Sequence, residues 1–460
     1  MLHSLYREGS ESWPFSPPST AVLVVGFICA LAVHRYVITG AYVILCLYAM
    51  LGPKQAIKAL SLNYIILFLN PAIQVLPAET SALRWVILFL AGLRVFLAIP
   101  SNSSRFLMPL LLFFAMVTAL SLLNSPNFAI SFLKIIVFTY CSATVLIAFN
   151  ALKGPDLAEL RRWFLTISGA VIFLSLPTLA IPKMGFLLNG KGFQGIFNHP
   201  QLLGVFLAPT AAYLGARLLL RSCHESPYVW GFWGLAMVLM VLTQARTALL
   251  AFFLSLAAAM AAGLFSSRRD LLQLAPYRAL IALMIAATVL TAGIFSSPAI
   301  SKTIAGFWLK RDQKTVEESF YRSRGAGISF FWNRFLQNPL IGQGFGIIKG
   351  HGIDKNQVTF LGIPVSASTE FGFLPAAFME QVGLLGLACF IPFFLFLLRG
   401  AVSQSDIGLM AMFFACLFVN IGEAVFFSPG QQGGYLWLLI GLATAAGWQN
   451  VKMKPERIVS

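Results

Sequence analysis

Charge is scarce in this sequence. Of 460 residues only 10% are charged, and Asp plus Glu together number 16 against 32 Lys and Arg. Nowhere do the few acids gather into a cluster suited to a divalent cation, so the chain is expected to work without metal or cofactor. Six cysteines (Cys29, Cys46, Cys141, Cys223, Cys389 and Cys416) lie in or beside apolar segments and none falls in the long polar stretch near the C-terminal third, which excludes a disulfide framework. Strict alternation of apolar and polar residues is also missing. The apolar runs are continuous, which excludes membrane-barrel strands. The opening MLHSLYREGSESWPFSPPST is polar and has no small-residue cleavage site before an apolar core, so no cleaved signal peptide is expected. No internal repeat and no matched pair of Gly/Pro-broken helices marks a secondary transporter.

What the chain has instead is hydrophobicity. Its apolar fraction is 58% and its mean hydropathy +0.81. Repeated apolar runs of about 17 to 25 residues match the length a helix needs to cross the ~30 Å bilayer core. The expected fold class is all-α, a polytopic transmembrane helical bundle. Candidate spans lie near 18–34, 38–52, 57–76, 82–99, 105–124, 129–150, 160–181, 201–220, 228–244, 247–265, 278–296, 373–398, 406–427 and 432–448, which is about 12–14 crossings. The formal charge of +16 is spread between these runs rather than along one helix face. That pattern fits the positive-inside bias and anionic headgroups, and no nucleic-acid partner is expected.

Short connections set the orientation. Lys54 with Lys58, Arg105, Lys153 with Arg161 and Arg162, Arg217 with Arg221, Arg268 with Arg269 and Arg278, Arg399, and the tail Lys452, Lys454 and Arg457 share one face if every run is crossed. Both termini are then cytoplasmic. The opposite face receives 183–200, the Gln244–Thr247 turn, and a large polar loop over 297–372 that holds nine of the 32 basic residues. Four regions follow: N-terminal helices over 1–182, central helices over 183–296, the loop with its short helices over 297–372, and C-terminal helices over 373–460.

Charges within the apolar runs are few: chiefly Arg94, Lys134, Glu380 and Glu423. Arg94 and Lys134 read as snorkelling or interhelical pairing. Gly195-Ile-Phe-Asn-His-Pro-Gln-Leu-Leu-Gly204 places Asn198 and His199 where a helix cap belongs and Pro200 in the first turn. Leu242-Thr-Gln-Ala-Arg-Thr-Ala-Leu-Leu250 sets Arg246 between two apolar runs with no acid near it in sequence, where a guanidinium suits paired hydrogen bonds to phosphate. The loop carries Arg311, Arg322 and Arg324, then an amphipathic stretch with Phe320, Ile328, Phe331, Trp332 and Phe335 as apolar contacts. Gly342-Gln-Gly-Phe-Gly346 follows, without the strand and Lys-Ser/Thr of a nucleotide-binding loop. Glu370 lies just outside a span, and Glu380 nearly three turns further in, where Arg pairing or Glu423, Asn420 and Gln431 could meet it.

Taken in order, NHPQLLG at 198–204, TQARTALLA at 243–251, the Arg322 and Arg324 pair before FWNRFLQNPLIGQGFG, and the stretch from Glu370 to GLLG at 383–386 resemble the O-antigen ligase and polymerase superfamily. The similar region runs from about residue 190 to 390. The resemblance implies a multi-pass enzyme of the bacterial inner membrane that transfers a glycan from undecaprenyl diphosphate at the periplasmic face. It also implies a chain-length regulator or export proteins as partners. Carried over residue by residue, Arg246 and the loop arginines Arg322 and Arg324 would hold the diphosphate, with Asn198, His199, Arg311 and Glu380 in substrate contact. Glu370 would be the general base, with His199 and His351 in reserve. Ligases of this family have a His where Glu370 stands and an Asn in place of Phe371, which favours a repeat-unit polymerase over a ligase acting on a lipid A core or another acceptor, with a transporter of polyprenyl-linked glycans as the alternative of a different class.

Overall fold

The computed structural model describes residues 15–77, 80–98, 103–186, 192–220, 225–265, 325–347, 359–360, 363–364 and 372–452. Six helices among them are long and apolar enough to cross a membrane: Leu107–Asn124, Phe128–Ala151, Gly154–Ala180, Pro200–Leu220, Arg246–Leu264 and Leu374–Val402. The outward faces of the helices are apolar too. Leu23, Leu47, Leu123 and Phe173 are each more than 60% exposed. A water-soluble helical protein does not scatter large apolar side chains over every outer helix face, whereas lipid solvates them at no cost. This is a helical membrane protein.

The chain folds into two compact units, and each is built from segments distant in sequence. The first contains α1 (Pro18–Leu31), α2 (Arg35–Ala49), α3 (Pro53–Phe68), most of α4 (Thr80–Phe96), α7 (Gly154–Ser175), α8 (Pro200–Gly215), α9 (Pro227–Leu242), α10 (Arg246–Phe265) and the start of α13 (Ile407–Phe418). α8 is its axis and is buried along almost its whole length. Gly204 lets α10 approach: a Cβ there would lie 2.4 Å from the Ala245 Cβ. Two ionic clusters tie the helices at one end. Lys54 meets Asp156 at 3.0 Å and Glu159 at 2.8 Å, while Lys58 meets Glu159 at 2.6 Å and covers the Trp163 ring. Asp406 receives Arg161 at 3.3 Å and Arg217 at 3.8 Å, and its other oxygen caps α13 through the Gly408 N–H. Several of the basic residues assigned to one face by sequence thus gather here around acids.

The second unit contains α5 (Ser103–Asn124), α6 (Phe128–Ala151), α11 (Ala326–Gln337), α12 (Leu374–Val402) and α14 (Gln432–Lys452). Its centre is aromatic. Phe427 stacks on Phe378 at 4.7 Å and contacts Phe138 at 5.0 Å, and Trp437 lies parallel to Phe393 while donating its indole N–H to the Phe426 carbonyl. Such pairs add about 0.5–1.5 kcal/mol each beyond the area they bury.

Several expected spans need correction. The run 57–76 is helical only to Phe68, because Leu69 pairs with Phe197 in an antiparallel bridge and Asn70 donates its N–H to the Ile196 carbonyl. The run 406–427 leaves the α-helix at Phe418, since the Asn420 side-chain oxygen takes the Val425 and Phe426 N–H groups and turns the chain. α1 and α2 have 14 and 15 residues, short of the ~20 that a perpendicular crossing needs. The run 278–296 lies outside the described residues. Within the 297–372 stretch the amphipathic helix is present as α11, with Phe331 and Phe335 buried and Trp332 exposed. Phe320 lies outside the described residues. A small hairpin of β1 (Thr359–Phe360) and β2 (Ile363–Pro364), not expected from the sequence, also belongs to that stretch.

Candidate functional site

In the first unit the two motifs chosen from sequence come together. The Phe193 N–H donates to the Leu242 carbonyl at 3.0 Å, and Gly192 and Gly204 both pack against the 243–245 turn. Backbone bonds pin the 194–198 loop from two sides: Asn198 N–H to the Phe68 carbonyl at 2.9 Å, and Gln194 N–H to the Gly185 carbonyl at 2.8 Å. His199 is the N-cap of α8, as its sequence context indicated, and its Nδ1 accepts the Gln201 N–H at 3.1 Å. That bond assigns the ring proton to Nε2. With Nδ1 so engaged, Nε2 is the ring's donor and the neutral imidazole is a poor proton acceptor.

Gln244 is the one described non-glycine residue with positive φ, at 55°. This left-handed turn ends α9 and makes Arg246 the first residue of α10. A cation at a helix N-terminus opposes the macrodipole, so the fold places a guanidinium where the backbone already presents a positive end. The two fields add for an arriving anion.

Arg84 was not singled out in the sequence. It sits in α4 beside the phenols of Tyr42 and Tyr64, with its guanidinium 5.4 Å from the Trp85 ring, and no described carboxylate is within salt-bridge distance. Tyr64 stacks on Phe68, which meets Phe197 edge-on. Tyr64, whose phenol acts electrostatically on Arg84, is thereby linked through ring contacts to the Asn198 loop. Its signal was available in the sequence, as an arginine inside an apolar run near Glu79.

In the second unit Glu380 is fully buried, and its Oε1 accepts the Arg334 Nε–H at 2.7 Å. Its sequence neighbours in polarity do not reach it: the partner is Arg334, on α11, rather than a group from the 420–431 turn. The arrangement gives Glu380 a structural tie to Arg334, the arginine pairing that was one of the two expectations for it. Beside this pair α12 is broken at Gly383 (φ 63°, ψ −170°), a conformation open essentially to glycine alone. The break frees two carbonyls that the Gly-rich loop satisfies. Gln343 N–H donates to Glu380 O at 2.8 Å and Gly344 N–H to Gln381 O at 3.0 Å. In return Leu384 N–H and Leu385 N–H donate to the Pro339 and Leu340 carbonyls at 2.9 and 3.0 Å. Asn124 bonds the Gly342 carbonyl, and Ser121 Oγ accepts the Phe345 N–H at 3.1 Å. The glycines of Gly342-Gln-Gly-Phe-Gly346 thus serve a backbone clip onto a broken helix.

Glu370, Arg311, Arg322, Arg324 and His351 lie outside the described residues. Lys134 and Arg94, read as snorkelling or paired, donate to the Gly346 and Met50 carbonyls. No protein-family model and no curated protein matches the sequence, so a chemical assignment rests on the residues themselves.

Proposed function

We propose that the protein is a glycosyltransferase of the bacterial inner membrane that joins lipid-linked oligosaccharide repeat units, with the transferred glycan carried on undecaprenyl diphosphate. The observation that carries this reading is Arg246 at the start of α10, packed through the 243–245 turn against the His199 motif. In the reaction an acceptor hydroxyl oxygen attacks the anomeric carbon, and the bond from that carbon to the diphosphate oxygen breaks. The bonding pair leaves with the lipid diphosphate. Arg246 and the α10 N-terminus face the charge that grows on that leaving group, which is where fixed positive charge lowers a barrier most. His199 Nε2–H is a further donor to its oxygens. Glu370 receives the hydroxyl proton as general base. Its presence with Phe371, where ligases have His and Asn, favours the polymerase over the ligase.

The test is Arg246→Ala, with Arg246→Lys as partner variant, in cells making the polymer. Loss of one donor to a developing oxyanion lowers turnover by about 10²–10³. Long chains should vanish while single lipid-linked units accumulate, and Lys, a point charge without the paired donors, should restore only part. Polymer of unchanged length and yield from Arg246→Ala refutes the assignment.

A further inference from the structure

α11 presents three different stripes of side chains, and the bundle accounts for one of them. Phe331 and Phe335 are buried, with Phe331 packed on Ala376, Ala377 and Phe373 at the start of α12. Ser329, Asn333 and Gln337, at every fourth position, are polar and exposed. At about 100° per residue, Trp332 and Leu336 fall between those two stripes, and Leu340 continues their row just past the helix end. These three are large and apolar, yet 46%, 57% and 60% exposed. A single exposed leucine needs no explanation, whereas a row ordered by the helix period marks a contact surface. Arg334 is on the far side of the helix from this row and donates its Nε–H to Glu380, so no charge interrupts the apolar stripe.

The neighbouring surface identifies what covers the row. The Pro339 and Leu340 carbonyls accept the Leu384 and Leu385 N–H groups at 2.9 and 3.0 Å, so the row runs onto the first turn of α12 beyond Gly383. Leu384 and Leu385 are themselves half-exposed, and Ile391 and Leu395 continue the exposed apolar face along α12 from Leu384. α12 is among the helices long and apolar enough to cross a membrane, and lipid solvates such a face. The α11 row is therefore continuous with a lipid-facing surface. α11 itself does not cross, because its 12 residues reach about 18 Å against the ~30 Å core and its polar stripe needs water. A helix with apolar and polar flanks beside a lipid-facing surface lies along the interface, where Trp is enriched. We infer that α11 is an interfacial helix whose Trp332, Leu336 and Leu340 row enters the acyl boundary of the bilayer. Phe331 and Phe335 hold it to the bundle, and Ser329, Asn333 and Gln337 face water. The lipid surface is thus the partner of a helix that belongs, by sequence, to a polar stretch. This reading requires a helical membrane protein and is independent of the proposed reaction.

The experiment uses the full chain in lipid nanodiscs, which leave both membrane faces open to reagents. Trp332→Cys, Leu336→Cys, Ser329→Cys and Asn333→Cys are made singly and treated with a charged, membrane-impermeant maleimide, with wild type giving the background of the native cysteines. Only a thiol that reaches water as thiolate reacts, so Trp332→Cys and Leu336→Cys should label about tenfold more slowly than Ser329→Cys and Asn333→Cys. All four positions lie off the buried Phe331 and Phe335 stripe, so thermal melting should match wild type. A second measurement, on the conservative Trp332→Phe variant, asks what provides the cover. The emission lost in that variant is the Trp332 signal, and it should be quenched when the nanodisc lipid carries bromine on its acyl chains. Labelling of Trp332→Cys and Leu336→Cys as fast as Asn333→Cys puts the row in water and overturns the inference. Slow labelling with Trp332 emission indifferent to brominated lipid overturns it as well, because the cover is then protein, from another segment or a second copy of the chain. Arg246→Ala, inactive under the proposed function, should show wild-type quenching of Trp332, so failure of one reading is separable from failure of the other.

Discussion

Removing one member of the Arg334–Glu380 pair should unfold more of the second unit than its single bond implies. Glu380 is 0% exposed, and of its two oxygens only Oε1 has a hydrogen-bond partner, Arg334 Nε at 2.7 Å; Oε2 has none among the described residues. Arg334 is itself 12% exposed at its side chain. Arg334→Met leaves a carboxylate in a dry interior with no counter-charge, which costs about 3–5 kcal/mol. An exposed pair of the same geometry is worth about 0–1 kcal/mol. Replacing both partners, as Arg334→Met with Glu380→Leu, removes the charge along with its neutraliser, and the double variant should return to within about 1 kcal/mol of wild type or exceed it. The assay is a double-mutant cycle of denaturant or thermal melts in one detergent, read for coupling between the two sites. The reasoning fails if Arg334→Met melts with wild type, or if the double variant is as unstable as its singles combined. Polymer synthesis by a stable double variant then separates roles: retained activity makes Glu380 a strut, and lost activity returns it to the substrate.

Three further outcomes are expected. Gly383→Ala places a Cβ 2.4 Å from the Leu340 carbonyl oxygen in a conformation reserved for glycine, so strain and two lost backbone bonds should cost about 2–6 kcal/mol, and an unchanged melt would contradict the clip. Asp406→Ala loses a helix cap and two arginine contacts, whereas Asp406→Asn keeps an acceptor for the Gly408 N–H; the Ala variant should melt lower than the Asn variant by about 1 kcal/mol, and equal melts would deny the cap. Glu159, 40% exposed at its side chain, should be the tolerant site: Glu159→Gln is expected to change stability by less than about 1 kcal/mol and by nothing at high salt, so a larger effect would mean that the cluster is drier than it looks.

Helix positions were legible because length and hydropathy are enough to specify a span in lipid. α5, α6, α9 and α10 fall where the apolar runs place them, to within a few residues. Helix ends decided by tertiary pairing were not legible. Leu69 and Asn70 are as apolar or as neutral as helix residues, and only the bridge to the distant Phe197 explains why α3 stops there. The same holds at Asn420, whose side chain competes with the helix for its own backbone donors. At the candidate site, the adjacency of the His199 and Arg246 motifs followed from assigning both to one face. The break in α12 did not, since Gly383 inside an apolar run reads as a tolerated glycine. Three glycines in Gly342-Gln-Gly-Phe-Gly346, each with positive φ, and one in the following helix were the available sign that two backbones meet.

The break at Gly383 divides α12 unequally. The piece 384–402 measures about 28 Å at 1.5 Å per residue, nearly the whole hydrocarbon thickness, while 374–382 adds only about 14 Å. The longer piece is long enough to bridge the bilayer unaided, which would leave the shorter one as a ledge above it. An acid at mid-bilayer burdens insertion by about 2.5–3.5 kcal/mol, and that burden falls towards the interface. A Glu380 carried on such a ledge would leave the carboxylate within a segment that the insertion machinery can still accept.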